Sequence, residues 1–185
     1  KKIKLVTIGL IATLGVVALT ACGSGNAKKE EAKDSTSKEE NLLKVVTTNS
    51  ILENMVEEVG KDKVDVHSIV PRGKDPHEHE PLPEDIAKAT DADVIFFTGL
   101  NLETGGAAWF VKLMTTTKKE EGKDYFVVSD GVEPMYLTGE GQESEQDPHA
   151  WLSLANGVKY VENITKVKNK KDPENKEFYE SNSKE

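Results

Sequence analysis

Apolar residues follow two rhythms along the chain. Short, nearly continuous runs alternate with stretches in which apolar positions recur every three or four residues. Residues 43–48 (LKVVTT), 63–70 (KVDVHSIV), 93–99 (DVIFFTG) and 124–130 (DYFVVSD) predict strands. They are short and rich in β-branched and aromatic residues. Ile51, Leu52, Met55, Val56 and Val59 keep helical period, with Ser50 three residues before Glu53 in capping-box spacing and Gly60 as a stop. Pro83-Glu84-Asp85 opens a second helix through about Thr90, its acids in the favourable first turn. Residues 104–119 predict a third helix, and Leu154, Val158, Val161, Ile164 and Val167 trace a fourth. Strands with apolar cores alternating with helices predict an α/β fold, a parallel sheet flanked by helices on both faces.

The N-terminus has a different character. Basic KKIK precedes a sixteen-residue apolar run, Leu5 to Thr20, which ends at Ala21-Cys22. That run is shorter than the roughly 20 residues a membrane-spanning helix needs. A charged start, an apolar middle and small residues at the end predict an export signal. The segment resembles a bacterial lipobox, which implies cleavage before Cys22 and lipidation of its thiol. Cys22 is the single cysteine, so no internal disulfide can form. Residues 23–41 (GSGNAKKEEAKDSTSKEEN) are small, polar and charged, and predict a disordered tether with a reach on the order of 25 Å. The expected organisation is a signal peptide at 1–21, a tether at 22–42, an α/β lobe at 43–170 and a further helix beginning within 171–185.

Charge removes one class of partner. The net charge is −9, and loss of residues 1–21 takes away three lysines and no acid, giving −12. With no basic patch, nucleic acid is not an expected partner. Nor do the residues supply a nucleophile elbow, a phosphate-binding P-loop or a dinucleotide fingerprint.

The chemistry concentrates in two Asp-Pro-His triplets. KDPHEHEP (residues 74–81) places His77 and His79 among carboxylates and between prolines, and Asp147-Pro148-His149 repeats the triplet 72 residues after His77. A proline after Asp stiffens the approach to the histidine. Both loops are expected beyond strand ends, where open α/β sheets bind ligands. Two rigidly presented imidazoles on neighbouring loops could share one metal ion. Asp75 and Asp147 could each accept a hydrogen bond from the imidazole N–H facing away from that ion, or could simply cap a turn. His67 reads as a surface or packed histidine, Glu78 and Glu80 as solvated acids, and Trp109, Trp151, Phe96 and Phe97 as core.

Four segments in order carry a resemblance: PRGKDPHEHEPLPEDI (71–86), GLNLETGGAAWF (99–110), DYFVVSDGV (124–132) and DPHAWLSLANG (147–157). Together with the lipobox, they make the chain similar to the metal-binding lipoprotein receptors of bacterial ABC importers for manganese and zinc, of the manganese-receptor and surface-antigen type. The resemblance implies two α/β lobes joined by a long helix, with the ion held between them and no catalytic turnover. It makes His77 and His149 metal ligands and places two more ligands in a C-terminal lobe. This chain stops at Glu185, about where the linking helix should begin, so a truncated chain carrying half the site is expected. His79 departs from the family, where an aromatic such as Tyr is common, and is expected as a third imidazole, a residue behind the ligands or a packing residue.

The implied cargo is Mn²⁺ or Zn²⁺. The loop LTGEGQESEQDPH (137–149) has no histidine beyond His149, which favours manganese over zinc-dedicated relatives. The implied partners are an ABC permease and, through the lipid on Cys22, the outer face of the cell membrane, with the receptor a monomer. Two other readings are a zinc hydrolase using His77, His79 and His149 around an open water position, and an adhesin or surface antigen without a metal role.

Overall fold

The structure is a computed structural model that describes residues 42–106 and 108–185. The expected signal peptide, Cys22 and all but the last residue of the expected tether lie outside the described residues. Four strands form one sheet: β1 (Leu43–Asn49), β2 (Val64–Val70), β3 (Val94–Phe97) and β4 (Tyr125–Val127). Their order is β2-β1-β3-β4, and every pairing is parallel. The α/β fold with a parallel sheet is therefore the observed one. β1 and β3, at its centre, are buried almost throughout, as strands covered on both faces must be.

Alternate side chains of the central strands feed two cores. Val45, Val94 and Phe96 pack with Leu52 and Val56 of α1 (Ser50–Gly60) and with Tyr160 and Ile164 of α4 (Leu154–Lys171). Val46, Ile95 and Phe97 pack with Ala89 of α2 (Pro83–Asp91) and with Trp109, Phe110 and Leu113 of α3 (Trp109–Thr117). Each fully buried side chain of this size contributes roughly 1.5–3 kcal/mol. A short fifth helix, α5 (Lys176–Asn182), follows a 3-10 turn at Pro173–Asn175 and buries Tyr179.

Several boundaries differ from those expected. Asn49, not Ser50, caps α1: its Oδ1 accepts from the N–H groups of Ile51 and Leu52, at 3.1 and 3.2 Å. The third helix begins at Trp109 rather than near 104. Gly106 and Ala108, just ahead of it, hold positive φ angles of 50° and 48°, which no helix accommodates, and the turn after β3 is left-handed too, at Gly99, Leu100 and Asn101 (81°, 51° and 64°). Gly99 is required there, since a side chain would also strike Val127 and Ser129. In α4 the expected stripe is only half buried. Ile164 and Val167 are core, while Leu154 and Val158 are exposed in the first two turns.

Lys168 of α4 is fully buried. Its Nζ donates to the Val56 carbonyl at 3.3 Å and lies 4.2 Å above the Tyr179 ring. Gly60 leaves the room for it, because any side chain at 60 would collide with Nζ. The Tyr179 hydroxyl donates to Asp172. Burial depresses the Lys168 pKa to about 7, against a weaker opposing pull from Asp172. The unfolded chain therefore holds a proton between pH 7 and about 10 that the folded chain does not, so stability rises with pH across that window. Lys168→Met should raise stability at pH 6 by about 2 kcal/mol and flatten its increase toward pH 9, measured by urea unfolding.

Candidate metal centre

The register of the sheet sets the site. Val70, the last residue of β2, pairs with Asn49, the last of β1, so the loop carrying KDPHEHEP leaves the sheet beside the start of α1. The second triplet arrives differently. β4 ends at Val127, and the chain then runs into a hairpin-like excursion. Tyr136 bridges Gln146, Leu137 N–H donates to the Glu145 carbonyl, and Asp147 N–H donates to the Met135 carbonyl. His149 follows, leading into a 3-10 turn at Ala150–Leu152. The expectation that both loops sit at strand ends thus holds directly for His77, while His149 is carried back by the excursion.

The two histidines meet. Their ring centroids are 5.9 Å apart with planes at 66°. They share the wall of a cleft of about 440 Å³, with Asn49, Asp75, Leu102 and Trp151. With metal–nitrogen bonds of about 2.1 Å, two imidazoles on one ion have centroids roughly 5–6 Å apart, so the observed pair fits a shared cation. Among the described residues no group of three His, Cys, Asp or Glu side chains could hold a metal ion.

Asp147 combines the two arrangements weighed for the aspartates, and Asp75 shows one of them. Asp147 Oδ1 accepts the His149 backbone N–H at 2.9 Å and lies 2.7 Å from His149 Nδ1. Those bonds, the backbone one foremost, hold its carboxyl below the usual range. An ionised Asp147 only accepts, so Nδ1 carries the proton and Nε2 keeps its lone pair for a metal. Asp75 caps its turn through the His77 N–H, at 2.9 Å. Trp151, expected in the core, is half-buried and stands edge-on to His149 at 5.4 Å.

His79 goes elsewhere. Its ring lies 5.5 Å from Trp109, edge-on, and its buried Nε2 has no hydrogen-bond partner. That Nε2 is 4.0 Å from Asp85 Oδ2. Asp85 in turn binds His67 Nε2 at 2.7 Å and accepts the Leu82 N–H. His79 lines a separate cleft with Glu80, Pro81 and Ile86.

Glu103 is a residue the sequence reading missed. It is fully buried at the sheet edge, and its carboxylate accepts Thr48 Oγ1, the Thr98 N–H at 2.9 Å and the Gly99 N–H at 3.2 Å. Burial raises its pKa, and these donors only partly offset that. They tie the left-handed turn after β3 to the end of β1. The available signal was an acid inside a turn of apolar residues and glycine, GLNLETGG.

Residues 45–185 match the family model described as Zinc-uptake complex component A periplasmic (ZnuA). The chain belongs to this family. It is 53% identical over 176 residues to the manganese ABC transporter substrate-binding lipoprotein PsaA of Streptococcus pneumoniae serotype 4, covering 95% of this chain and 54% of the relative. It is 51% identical over 182 residues to the metal ABC transporter substrate-binding lipoprotein FimA of Streptococcus parasanguinis, covering 98% of this chain and 55% of the relative. The chain spans about half the length of these curated relatives. Among solved structures, the Mn-bound periplasmic metal binding protein of Candidatus Liberibacter asiaticus superposes with a TM-score of 0.64 at 31% identity, over 76% of this chain and 50% of that one. Zn(II)-bound AdcA of Streptococcus pneumoniae gives a TM-score of 0.62 at 30% identity, over 77% of this chain and 29% of that one.

Replacing Glu103 by Ala leaves three buried donors without an acceptor. It should lower stability at pH 7 by about 3 kcal/mol, with Glu103→Gln costing less, as read from urea midpoints at constant m.

Proposed function

We propose that this chain is the N-terminal, half-site lobe of an extracytoplasmic receptor that captures a divalent cation for an ABC importer. The observation that carries the reading is the His77–His149 pair, presented from loops 72 residues apart at a separation that suits one ion. Asp147 supports it by fixing the His149 tautomer. The relatives support it by name: manganese ABC transporter substrate-binding lipoproteins, and Mn-bound and Zn(II)-bound structures.

His77 and His149 are the ligands in this reading, Asp147 orients His149, and Asp75 shapes the turn before His77. His79 is a packing residue. The two remaining ligands come from a C-terminal lobe, reached through a linking helix that begins within 171–185. Leu152 and Leu154, exposed beside the His149 turn, are surface that such a lobe would cover. Cys22 carries the lipid that anchors the receptor to the outer face of the membrane, residues 22–42 are the tether, and the receptor acts as a monomer that hands its ion to the permease.

Mn²⁺ is the favoured cargo and Zn²⁺ the alternative. Imidazoles with carboxylates accept both, and the general affinity order makes zinc bind at least as tightly. The hydrolase alternative loses its third imidazole, because His79 packs on Trp109 in a separate cleft.

Isothermal titration of this chain with Mn²⁺ should give a Kd weaker than about 1 μM, since two ligands cannot complete a shell. Joint replacement of His77 and His149 by Ala should abolish the heat of binding. A sub-micromolar Kd, or binding indifferent to both substitutions, would refute the half-site reading.

A further inference from the structure

The two histidines are held unequally. The His149 ring is itself hydrogen-bonded to Asp147, whereas the Asp75 bond reaches only the His77 backbone. His77 also sits in a loop, residues 71–82, without regular secondary structure. Something else must set where its imidazole stands.

We propose that Trp109 is a positioning residue for His77, its indole gripping the loop on both sides of the ligand. The inference rests on the metal-capture reading above. Trp109 Nε1 donates to the Pro76 carbonyl at 2.9 Å, one residue before His77. The same indole packs edge-on against His79, two residues after it. Trp109 is nearly fully buried at the start of α3 and edge-on to Phe110 at 6.0 Å, so the grip is rooted in the core. Beyond His79 the loop is fastened again, where Asp85 accepts the Leu82 N–H and binds His67. A ligand bracketed in this way meets its ion without first being ordered, which is the free-energy advantage of a pre-formed site.

Phe at position 109 keeps most of the packing and removes the N–H. The test is a double-substitution cycle in the full chain, with Mn²⁺ binding followed by loss of the free-ion electron paramagnetic resonance signal. Trp109→Phe alone should weaken Mn²⁺ binding about five- to tenfold. In a His77→Ala background the same substitution should have no further effect, because the residue it positions is gone. Equal weakening in both backgrounds would show a general loosening of the lobe and overturn the proposal, as would unchanged affinity in the wild-type background. If the Phe variant fails to fold, 3-benzothienylalanine placed at 109 keeps the shape of the indole without its N–H, and the same cycle is read. A chain whose Mn²⁺ affinity is indifferent to His77→Ala removes the capture reading and this inference together. Binding that needs His77 but ignores position 109 removes the inference alone.

Discussion

The rings of His77 and His149 stand 5.9 Å apart, centroid to centroid, while carried by loops far apart in the chain, with no hydrogen bond between them. Nothing in the pair itself enforces that spacing, so it must be imposed from the sheet edge. The parallel sheet does the coarse work, since its C-terminal edge places the loop after β2 beside the start of α1. Local bonds do the rest. Each Asp-Pro-His triplet closes an aspartate onto the backbone N–H of its own histidine. Trp109 and Trp151 stand against the two loops as rigid aromatic walls. The proposed binding site, spread over two loops, is thereby made stiff without a regular element passing through it.

Buried polar groups mark where that stiffness is maintained. At the sheet edge, Glu103 is surrounded by donors from Thr48, Thr98 and Gly99, which locks the strained turn after β3 to the end of β1. Asn49 joins the same cluster by donating to Thr98 Oγ1 at 2.8 Å while capping α1. One asparagine thus ties a helix start to a strand end at the wall of the cleft. Lys168, on the side of the sheet covered by α1 and α4, is the opposite case: an amine buried with a carbonyl and an aromatic face, at a cost in stability. Burial disfavours the charged form of both residues, and at Glu103 the surrounding donors offset part of that cost.

Much of this was legible in the sequence because strands and helices announce themselves through apolar period, and all four strands and the first, second and fourth helices are where the pattern put them. The third helix started late because helical period cannot see left-handed residues: Gly106 and Ala108 break the backbone within what reads, in one dimension, as its first turn. Lys168 falls on the apolar face of α4, four residues after Ile164, but a lysine gives no apolar signal there, and only packing reveals that α5 lies over it. At the site, the repeated triplet pointed to His77 and His149, and the structure brings them together. Spacing could not decide His79. Its direction depends on Trp109 and Asp85, which become neighbours only through the tertiary fold. The same holds for Asp147, whose capping and imidazole-orienting roles proved compatible rather than exclusive.

The most direct test of a shared ion is the number of imidazoles bound to it. X-ray absorption fine structure at the zinc edge, recorded on the chain loaded with substoichiometric Zn²⁺, counts nitrogen neighbours and their ring scattering. Two imidazoles at about 2.0–2.1 Å, falling to one on replacement of either His77 or His149, is the expected result. A single imidazole in the unaltered chain, or a count unchanged by either replacement, would contradict it.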